Sequence, residues 1–270
     1  MRINIFLLLT LFCISAFSSQ KTETETLTIV VNAPGSPPYL YYDQDSQSYQ
    51  GVVVDFVSEL EKNKLLIAKF VDSNRGRSET FIIEGKADMM FTSRSWLVTP
   101  EQLIFSDKLS VQQSYLYSLS TFEPGFTLQN IQNKRICSRQ GFFYPGLQDY
   151  FENNQLIRTD SGSQVTMARM LQKDRCDYAV INDHNAAAIF ADQTYCKNTI
   201  YQSPEPTDTV DMLFAMRLQM QSIRTLINQQ IKLFAESGEL HASVGKHSSN
   251  LTFPSSLTCN QPNIATDPKS

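Results

Sequence analysis

The chain has 270 residues, of which 41% are hydrophobic and 19% charged, and its formal net charge at pH 7 is −4. This composition excludes intrinsic disorder, because the apolar fraction is large enough to build a core. The acidic balance, with no basic run and no aromatic-basic stripe, argues against a nucleic acid as partner. The length suits two lobes with separate cores, and this is the organisation we expect.

Residues 1–20 have the three parts of a secretory signal peptide. Arg2 supplies a positive start, residues 5–17 are apolar, and residues 18–20 are small and polar. A membrane-spanning helix needs about 20 apolar residues, and neither this run nor any later segment reaches that length. We therefore predict a cleaved signal peptide and an exported protein that is not membrane-embedded, with an uncleaved anchor as the alternative.

The first part of the mature chain alternates between two kinds of pattern. Residues 27–33, 65–72 and 89–91 are β-branched or apolar runs typical of buried strands. Between them, apolar residues at helical spacing predict a helix over residues 50–65 and a shorter one that ends at Gly85. Alternating strands and helices predict a parallel α/β sheet.

Two loops follow strands of this predicted sheet. They are PGSPPYLYY (34–42) and TSRSW (92–96). Because ligands collect at the carboxyl ends of parallel strands, we expect both loops on the same rim. Aromatic rings are common walls of small-molecule pockets, so Tyr39 and Trp96 are candidates to stack on a ligand.

The pattern restarts after a linker around residues 114–126. The predicted elements of this second unit are a strand at 135–140, a helix starting within 141–151, a helical stripe within 156–175, a strand at 178–182 and a helix at 184–191. A strand at 210–217 and two helices within 223–247 close the chain. The second unit is thus inserted into the first, and the predicted boundaries are residues 21–114 plus 210–255 for lobe 1, 115–209 for lobe 2 and 256–270 for a C-terminal tail.

Four cysteines remain after removal of the signal peptide: Cys137, Cys176, Cys196 and Cys259. An even number in an exported protein predicts disulfides, and all three pairings stay open. The cysteines have no CxxC spacing, and the three histidines lie far from any ligand-like cluster. We therefore predict neither a metal site nor another cofactor.

Seven short motifs follow one another in an order and spacing that is known from one family. They are PPY (37–39), GVVVDF (51–56), EGKAD (84–88), TPEQ followed by FSD (99–107), RQG (139–141), CDYAVIND (176–183) and INQQIKLFAESGEL (227–240). With these motifs the chain resembles the family 3 bacterial extracellular solute-binding proteins, the periplasmic receptors for polar amino acids, over nearly all of residues 27–247.

The resemblance implies a type II periplasmic binding fold. In this α/β architecture two lobes, each a mainly parallel sheet flanked by helices, are joined by a two-strand hinge and close over a ligand. It also implies a small polar ligand, by default an amino acid, and an inner-membrane ABC permease or a sensor as partner. We expect a monomer.

The family's residues for the ligand carboxylate are only partly kept. Hydroxyls of the loop after the third strand bind this group in the family, and Thr92, Ser93 and Ser95 occupy those positions. The family arginine corresponds to Gln102, which has no charge. Since a bidentate arginine contact is roughly twice as strong as a neutral hydrogen bond, either another group compensates or the ligand differs.

Two arginines are candidates for that compensation. Arg94 lies beside the hydroxyls of the TSRSW loop, and Arg139 lies at a strand end, two residues before a glycine. After that glycine the family has small hydroxyl residues, but this chain has Phe142 and Phe143. Their backbone N–H groups can bind an anion at a helix start, and their rings would form part of the apolar wall of the ligand cleft.

The family's acidic partner of the ligand ammonium group corresponds to Asn182, or to Asp183 if the strand is one residue longer. Alternation along a strand lets only one of these face the cleft, and we favour Asp183 as the amine partner.

Two rival functions use the same scaffold. A periplasmic dehydratase-like enzyme needs a general acid, for which Glu101 or Asp183 is available. A ligand-less partner-binding protein would result if Phe142 and Phe143 filled the cleft. We predict a non-enzymatic solute-binding protein.

Overall fold

The computed structural model describes residues 25–33, 35–192, 194–248 and 253–258. The predicted signal peptide and Cys259 lie outside the described residues. No helix in the described part of the chain is long and apolar enough to cross a membrane.

The described residues form a mixed α/β structure. Its strands are β1 (Glu25–Asn32), β2 (Gly35–Ser36), β3 (Leu40–Asp43), β4 (Ser48–Gln50), β5 (Leu66–Ser73), β6 (Met89–Thr92), β7 (Leu103–Phe105), β8 (Ser110–Ser118), β9 (Lys134–Arg139), β10 (Leu156–Ser161), β11 (Tyr178–Asn182), β12 (Ile200–Gln202), β13 (Asp208–Arg217) and β14 (Ser256–Leu257). Its helices are α1 (Val52–Lys62), α2 (Arg75–Ile83), α3 (Pro145–Glu152), α4 (Gln164–Gln172), α5 (Asp183–Ala191), α6 (Gln221–Glu236) and α7 (Glu239–His247).

The first lobe is built on a sheet in which β1 lies between β5 and β6, with these three strands parallel. Because β1 is central, it buries side chains on both faces: Ile29 packs on one side and Val30 on the other. Phe56 of α1 and Ile227 of α6 cover the first face, and Ile82 of α2 covers the second. The predicted parallel unit flanked by helices is confirmed.

The second lobe repeats this arrangement with β9 between β10 and β11, again parallel. Its core takes Leu147 from α3, Leu171 from α4 and Phe190 from α5, together with Ile136 of β9. Each lobe therefore has its own hydrophobic core, as a chain of this length permits.

Two long strands, β8 and β13, join the lobes. They pair antiparallel with each other through residues 110–114 and 208–212. Beyond this shared stretch β8 continues into the second sheet, where it pairs with β11, and β13 continues into the first sheet, where it pairs with β6 and β7. These are the two crossing segments that the sequence predicted.

The predicted linker at residues 114–126 is wrong at its start, because residues 114–118 form the second half of β8. Leu116 and Tyr117 are fully buried there, paired with Val180 and Ala179 of β11. Strand β10 was not predicted at all. It lies at the edge of its sheet, and one of its side chains, Ile157, is 49% exposed, so its sequence lacks a clear apolar alternation.

The last described residues pack on the second lobe. The Phe253 ring lies 4.9 Å from the ring of Tyr117 and 5.9 Å from that of Phe190, and β14 pairs with β12. Phe253 was assigned to lobe 1 from the sequence, but it belongs to the second core because these two rings form its pocket. The remaining lobe boundaries stay a prediction.

One disulfide joins two parts of the second lobe. Cys137 of β9 is bonded to Cys176, just before β11, with 5.6 Å between the Cα atoms. The sequence left three connectivities of the four cysteines open, and this bond belongs to one of them. Cys196 is also disulfide-bonded.

Candidate functional site

A cavity of about 150 Å³ lies between the two lobes. Four strands end at it, because Asn32, Thr92, Arg139 and Asn182 are the last residues of β1, β6, β9 and β11 and all line it. The carboxyl ends of parallel strands are the usual place for ligands in such sheets. The other lining residues are Val30, Val31, Gly35, Ser36, Tyr39, Leu40, Arg75, Ser78, Glu79, Met90, Phe91, Trp96, Leu97, Gln112, Ser114, Phe142, Phe143, Tyr144, Gln164, Val180, Asp208 and Met212.

Two arginines from opposite lobes meet in this cavity. Arg75 is the first residue of α2, directly after Asn74, whose side chain caps that helix by accepting from the Arg77 amide. The Arg75 guanidinium lies 5.0 Å from the Trp96 ring centre and 4.1 Å from that of Phe142, and the Arg139 guanidinium lies 4.4 Å from the same Phe142 ring. Aromatic faces attract cations, so these rings hold both guanidinium groups in place.

Neither guanidinium has an anionic partner among the described residues. The arginines that form ion pairs there are Arg135, Arg158 and Arg217. Burial, the largest cause, and the positive charge of Arg139 lower the pKa of Arg75 to about 10, whereas Tyr144 acts in the opposite direction. Burial also lowers the pKa of Arg139. Arginine side chains remain protonated at neutral pH in proteins, so the cavity holds two guanidinium cations.

The Tyr144 hydroxyl adds a neutral hydrogen-bond donor beside them. It accepts a 2.9 Å hydrogen bond from the Arg139 amide, and no described residue accepts its own proton. Burial raises the pKa of Tyr144 to about 12, so the hydroxyl is protonated at neutral pH. Its proton is therefore available to a ligand.

Both carboxylates that line the cavity already have hydrogen-bond donors. Glu79 accepts from the Thr99 amide at 2.6 Å and the Val98 amide at 2.9 Å. Asp208 accepts from the Gly146 amide and, at 3.5 Å, from the Thr207 hydroxyl. Burial raises the pKa of Asp208, although these hydrogen bonds act in the opposite direction.

Aromatic and polar groups complete the walls. The Tyr39 hydroxyl donates to the Val111 carbonyl of β8 at 3.0 Å, so its ring, not its hydroxyl, is left for a ligand. The two rims also touch each other: the Asn185 amide in the second lobe donates to the Ser36 hydroxyl in the first at 2.5 Å and to Gln164 at 2.6 Å.

The structure brings seven of the sequence-predicted site residues to the cavity. They are Tyr39, Thr92, Trp96, Arg139, Phe142, Phe143 and Asn182. Of the alternatives Asn182 and Asp183, the strand ends at Asn182, which caps α5 by accepting from the Asn185 amide. Asp183 does not line the cavity, and its carboxylate accepts from the His184 amide.

The remaining predicted residues lie away from the cavity. Arg94 is exposed, with its guanidinium 5.0 Å from the Phe105 ring centre. The Ser93 and Ser95 hydroxyls hydrogen-bond each other at 3.0 Å. Gln102 is exposed at the end of a single-turn 3₁₀ helix. The short 3₁₀ helix that starts at Arg94 turns its guanidinium outward, which no periodic pattern in the sequence indicates.

Arg75 is the main residue that the sequence prediction missed. A usable signal was present, because Asn74 to Arg77 (NRGR) follows a predicted strand in the same way as the TSRSW loop. Gln112 and Ser114 were missed for a different reason: they lie on β8, which the sequence analysis did not recognise as a strand.

No family model matches the chain, and no curated protein matches it either. Solved structures do match. A mutant of ArgBP from T. maritima aligns with a TM-score of 0.67 at 17% identity, over 83% of this chain and 95% of that one. A histidine kinase sensor domain with similarity to periplasmic binding proteins gives a TM-score of 0.69 at 16% identity, over 86% and 99%.

A third match is a putative binding component of an ABC transporter from Wolinella succinogenes, complexed with lysine. Its TM-score is 0.69 at 12% identity, over 82% of this chain and 95% of that one. Identities this low show the fold alone. The chain has the two-lobed α/β fold of the type II periplasmic binding proteins.

Proposed function

We propose that the chain is an exported solute-binding protein that holds a small anionic molecule between its lobes. The observation that carries this proposal is two cavity arginines, Arg75 from one lobe and Arg139 from the other, that form no ion pair with the described residues. The matched structures, two of which are described as binding proteins of amino-acid ABC transporters, support a binding role.

Binding is coupled to closure of the two lobes in this proposal. Strands β8 and β13 connect the sheets and serve as the hinge. A ligand shifts the equilibrium towards the closed form only if it binds that form better. A ligand that contacts Arg75 and Arg139 together meets this condition, because only closure brings both guanidinium groups to one molecule.

The proposed ligand contacts follow from the lining. Arg75, Arg139 and the Tyr144 hydroxyl bind the negative groups, and the rings of Trp96 and Phe142 form the wall. Thr92, Asn182, Tyr39 and Phe143 complete the site. Arg75 replaces Arg94 in this role, since the Arg94 side chain is exposed over Phe105.

Delivery to an inner-membrane ABC permease or a sensor is the expected use of the closed form. The signal-peptide pattern of residues 1–20 supports a periplasmic location, and the predicted monomer suits either partner. We propose no catalytic step. Glu101 is exposed outside the cavity, and the lining carboxylates Glu79 and Asp208 are held by the hydrogen bonds described above.

A thermal-shift screen tests the proposal. The mature protein is heated with amino acids, organic acids, polyamines and neutral aromatic compounds, each at saturating concentration. A bound ligand at 100 times its Kd adds about 2.7 kcal/mol to the free energy of unfolding, so a true ligand gives a clear rise in Tm. Arg139→Gln is expected to remove that rise, and the exposed Arg94→Gln is the matched control that keeps it. A protein that no compound stabilises contradicts the proposal.

A further inference from the structure

We infer that the ligand is a small dicarboxylate without an ammonium group, bound between Arg75 and Arg139. This inference rests on the proposed function and adds the chemical class of the ligand. It departs from the amino acid that the sequence resemblance implies.

The two guanidinium groups in the cavity favour a ligand with two negative groups. Both guanidinium groups contact the same Phe142 ring, at 4.1 Å and 4.4 Å from its centre, so one small molecule can reach both. Closing the lobes brings these like charges together in a partly desolvated space, which opposes closure unless a counter-charge lies between them. The lining carboxylates Glu79 and Asp208 form no ion pair with either arginine among the described residues. A dianion can therefore pair directly with both guanidinium groups, whereas a monoanion pairs with one.

Among the described residues, each carboxylate that lines the cavity already accepts hydrogen bonds from the protein. Glu79 accepts from the Val98 and Thr99 amides, and Asp208 from the Gly146 amide. Asp183, expected to hold the ammonium group of an amino acid, does not line the cavity and accepts from the His184 amide. An ammonium buried without an anionic partner is strongly unfavourable.

The donors that remain suit planar carboxylates better than a phosphate. Phosphate groups commonly bind the free amides of a helix N-terminus. One N-terminal amide of each of three nearby helices already has a protein acceptor: Asp208 accepts from the Gly146 amide of α3, Asn182 from an amide of α5 and Ser163 from an amide of α4. Guanidinium groups match carboxylate and phosphate alike, so the reduced supply of helix-terminal amides is what favours a carboxylate.

The volume suits a small molecule. A cavity of about 150 Å³ is comparable with one that holds a single benzene molecule, and this cavity is also partly open to solvent. A short aliphatic dicarboxylate is compatible with such a space. The Trp96 and Phe142 rings pack against its methylene groups in this arrangement.

Matched probes separate the charge requirements. L-Glutamate is glutarate with one added ammonium group, and pentanoate is glutarate with one carboxylate replaced by a methyl group. Calorimetric titration of the mature protein with glutarate, L-glutamate, pentanoate, succinate and inorganic phosphate gives the comparison. We expect glutarate or succinate to bind about 10- to 100-fold more tightly than the other three.

Variants test which side chains set this preference. Arg75→Gln and Arg139→Gln are each expected to reduce the advantage of glutarate over pentanoate to less than about threefold, while Arg94→Gln leaves it unchanged. If either cavity variant fails to fold, the glutarate, L-glutamate and pentanoate comparison on the unaltered protein decides. Asp208→Asn, which keeps an oxygen acceptor for Gly146, changes the affinity difference between glutarate and L-glutamate only if Asp208 binds an ammonium group.

The outcomes distinguish this inference from the proposed function. Tighter binding of L-glutamate than of glutarate, lost in Asp208→Asn, overturns the ligand class and keeps the solute-binding role. Tightest binding of phosphate or pentanoate also overturns the ligand class alone. If these probes and the wider screen all fail to bind, both the ligand class and the proposed function are wrong.

Discussion

Asp55 and Arg75 are both charged side chains in the first turn of a helix of the first lobe, yet their surroundings are opposite. Asp55 of α1 accepts from the Ser243 hydroxyl at 2.7 Å and from Lys246 at 3.1 Å, and His247 lies 2.9 Å away. Arg75 of α2 contacts two aromatic faces and faces a second cation. Removing the partly buried Asp55 carboxylate leaves several polar partners unsatisfied, whereas a cation without an ion-pair partner is available to a ligand.

The Asp55 cluster holds α7 against α1. The His247 side chain is buried, and its other ring nitrogen lies 3.1 Å from the Tyr41 hydroxyl of β3. The cluster therefore also connects the β3–β4 hairpin to α7. These contacts make Asp55 a structural residue, and the comparison with Arg75 leads to four expectations.

Charge reversal in the cavity is expected to have the largest effect. Arg139→Glu places a carboxylate where the ligand's own negative group must lie, so binding of an organic anion should weaken by more than about 100-fold. The free energy of unfolding without ligand should change little, because Arg139 has no ion pair within the described residues to lose. Calorimetric titration and denaturant unfolding measure the two quantities, and a large loss of stability with intact binding would reverse the assignment.

The opposite result is expected for Asp55→Asn. This change removes the charge that attracts Lys246 and His247, so the free energy of unfolding should fall by about 1–2 kcal/mol while ligand affinity stays within about twofold. Asp211→Asn is the matched control, because it breaks only the exposed pair with Lys108 and should cost less than about 0.5 kcal/mol. Equal losses in the two variants would show that the cluster is not structural.

The pH dependence of stability sharpens the same contrast. Burial raises the pKa of Asp55, but the hydrogen bonds from Ser243, Lys246 and His247 outweigh it and hold the pKa below the ordinary 3.8. The contribution of Asp55 is therefore fully present above the unfolded-state pKa and is lost as pH falls through the lowered folded-state pKa.

Denaturant unfolding at a series of pH values checks this expectation. The stability difference between the unaltered protein and Asp55→Asn should shrink as pH falls below about 4. Asp43 and Asp192 also have a lowered pKa, but they are common to both proteins and cancel in the difference. A difference that stays constant to the lowest accessible pH would contradict the assignment.

Neutralising Arg75 without ligand is expected to have the smallest effect. Arg75→Gln removes the repulsion with Arg139 but also the contacts with the Trp96 and Phe142 rings, so the free energy of unfolding should change by less than about 1 kcal/mol. Arg217→Gln is the useful comparison, because Arg217 pairs with Asp88 and should lose more stability. A larger loss at Arg75 than at Arg217 would indicate a structural cation.

The fold was largely predictable from the sequence. Elements packed against the core bury regular positions, and this burial shows directly in the spacing of their apolar residues. Strand β1 and helix α1 show this: their apolar positions face the core that the pattern indicated. Strand β8 was harder, since its first half (SVQQ) lies between the lobes with polar side chains towards the cavity. Residues that line a cleft are not selected for apolarity, so they do not show the apolar periodicity of residues that face a core.

The site was less predictable than the fold for a related reason. The loop after β6 was correctly placed at the rim, but which of Arg75 and Arg94 points inward depends on the turn each one occupies. Arg75 starts an α-helix and lies over two rings, while Arg94 starts a 3₁₀ turn and lies outside. Sequence shows that arginines are present at the strand ends, whereas backbone geometry decides their direction.

A crystal structure of the mature protein grown with glutarate tests the central claim most directly. We predict one carboxylate within hydrogen-bond distance of the Arg75 guanidinium and the other within that distance of Arg139, with the Phe142 ring beside the carbon chain. Glutarate bound elsewhere, or a closed cavity in which either arginine is paired with a protein carboxylate instead, would contradict the account.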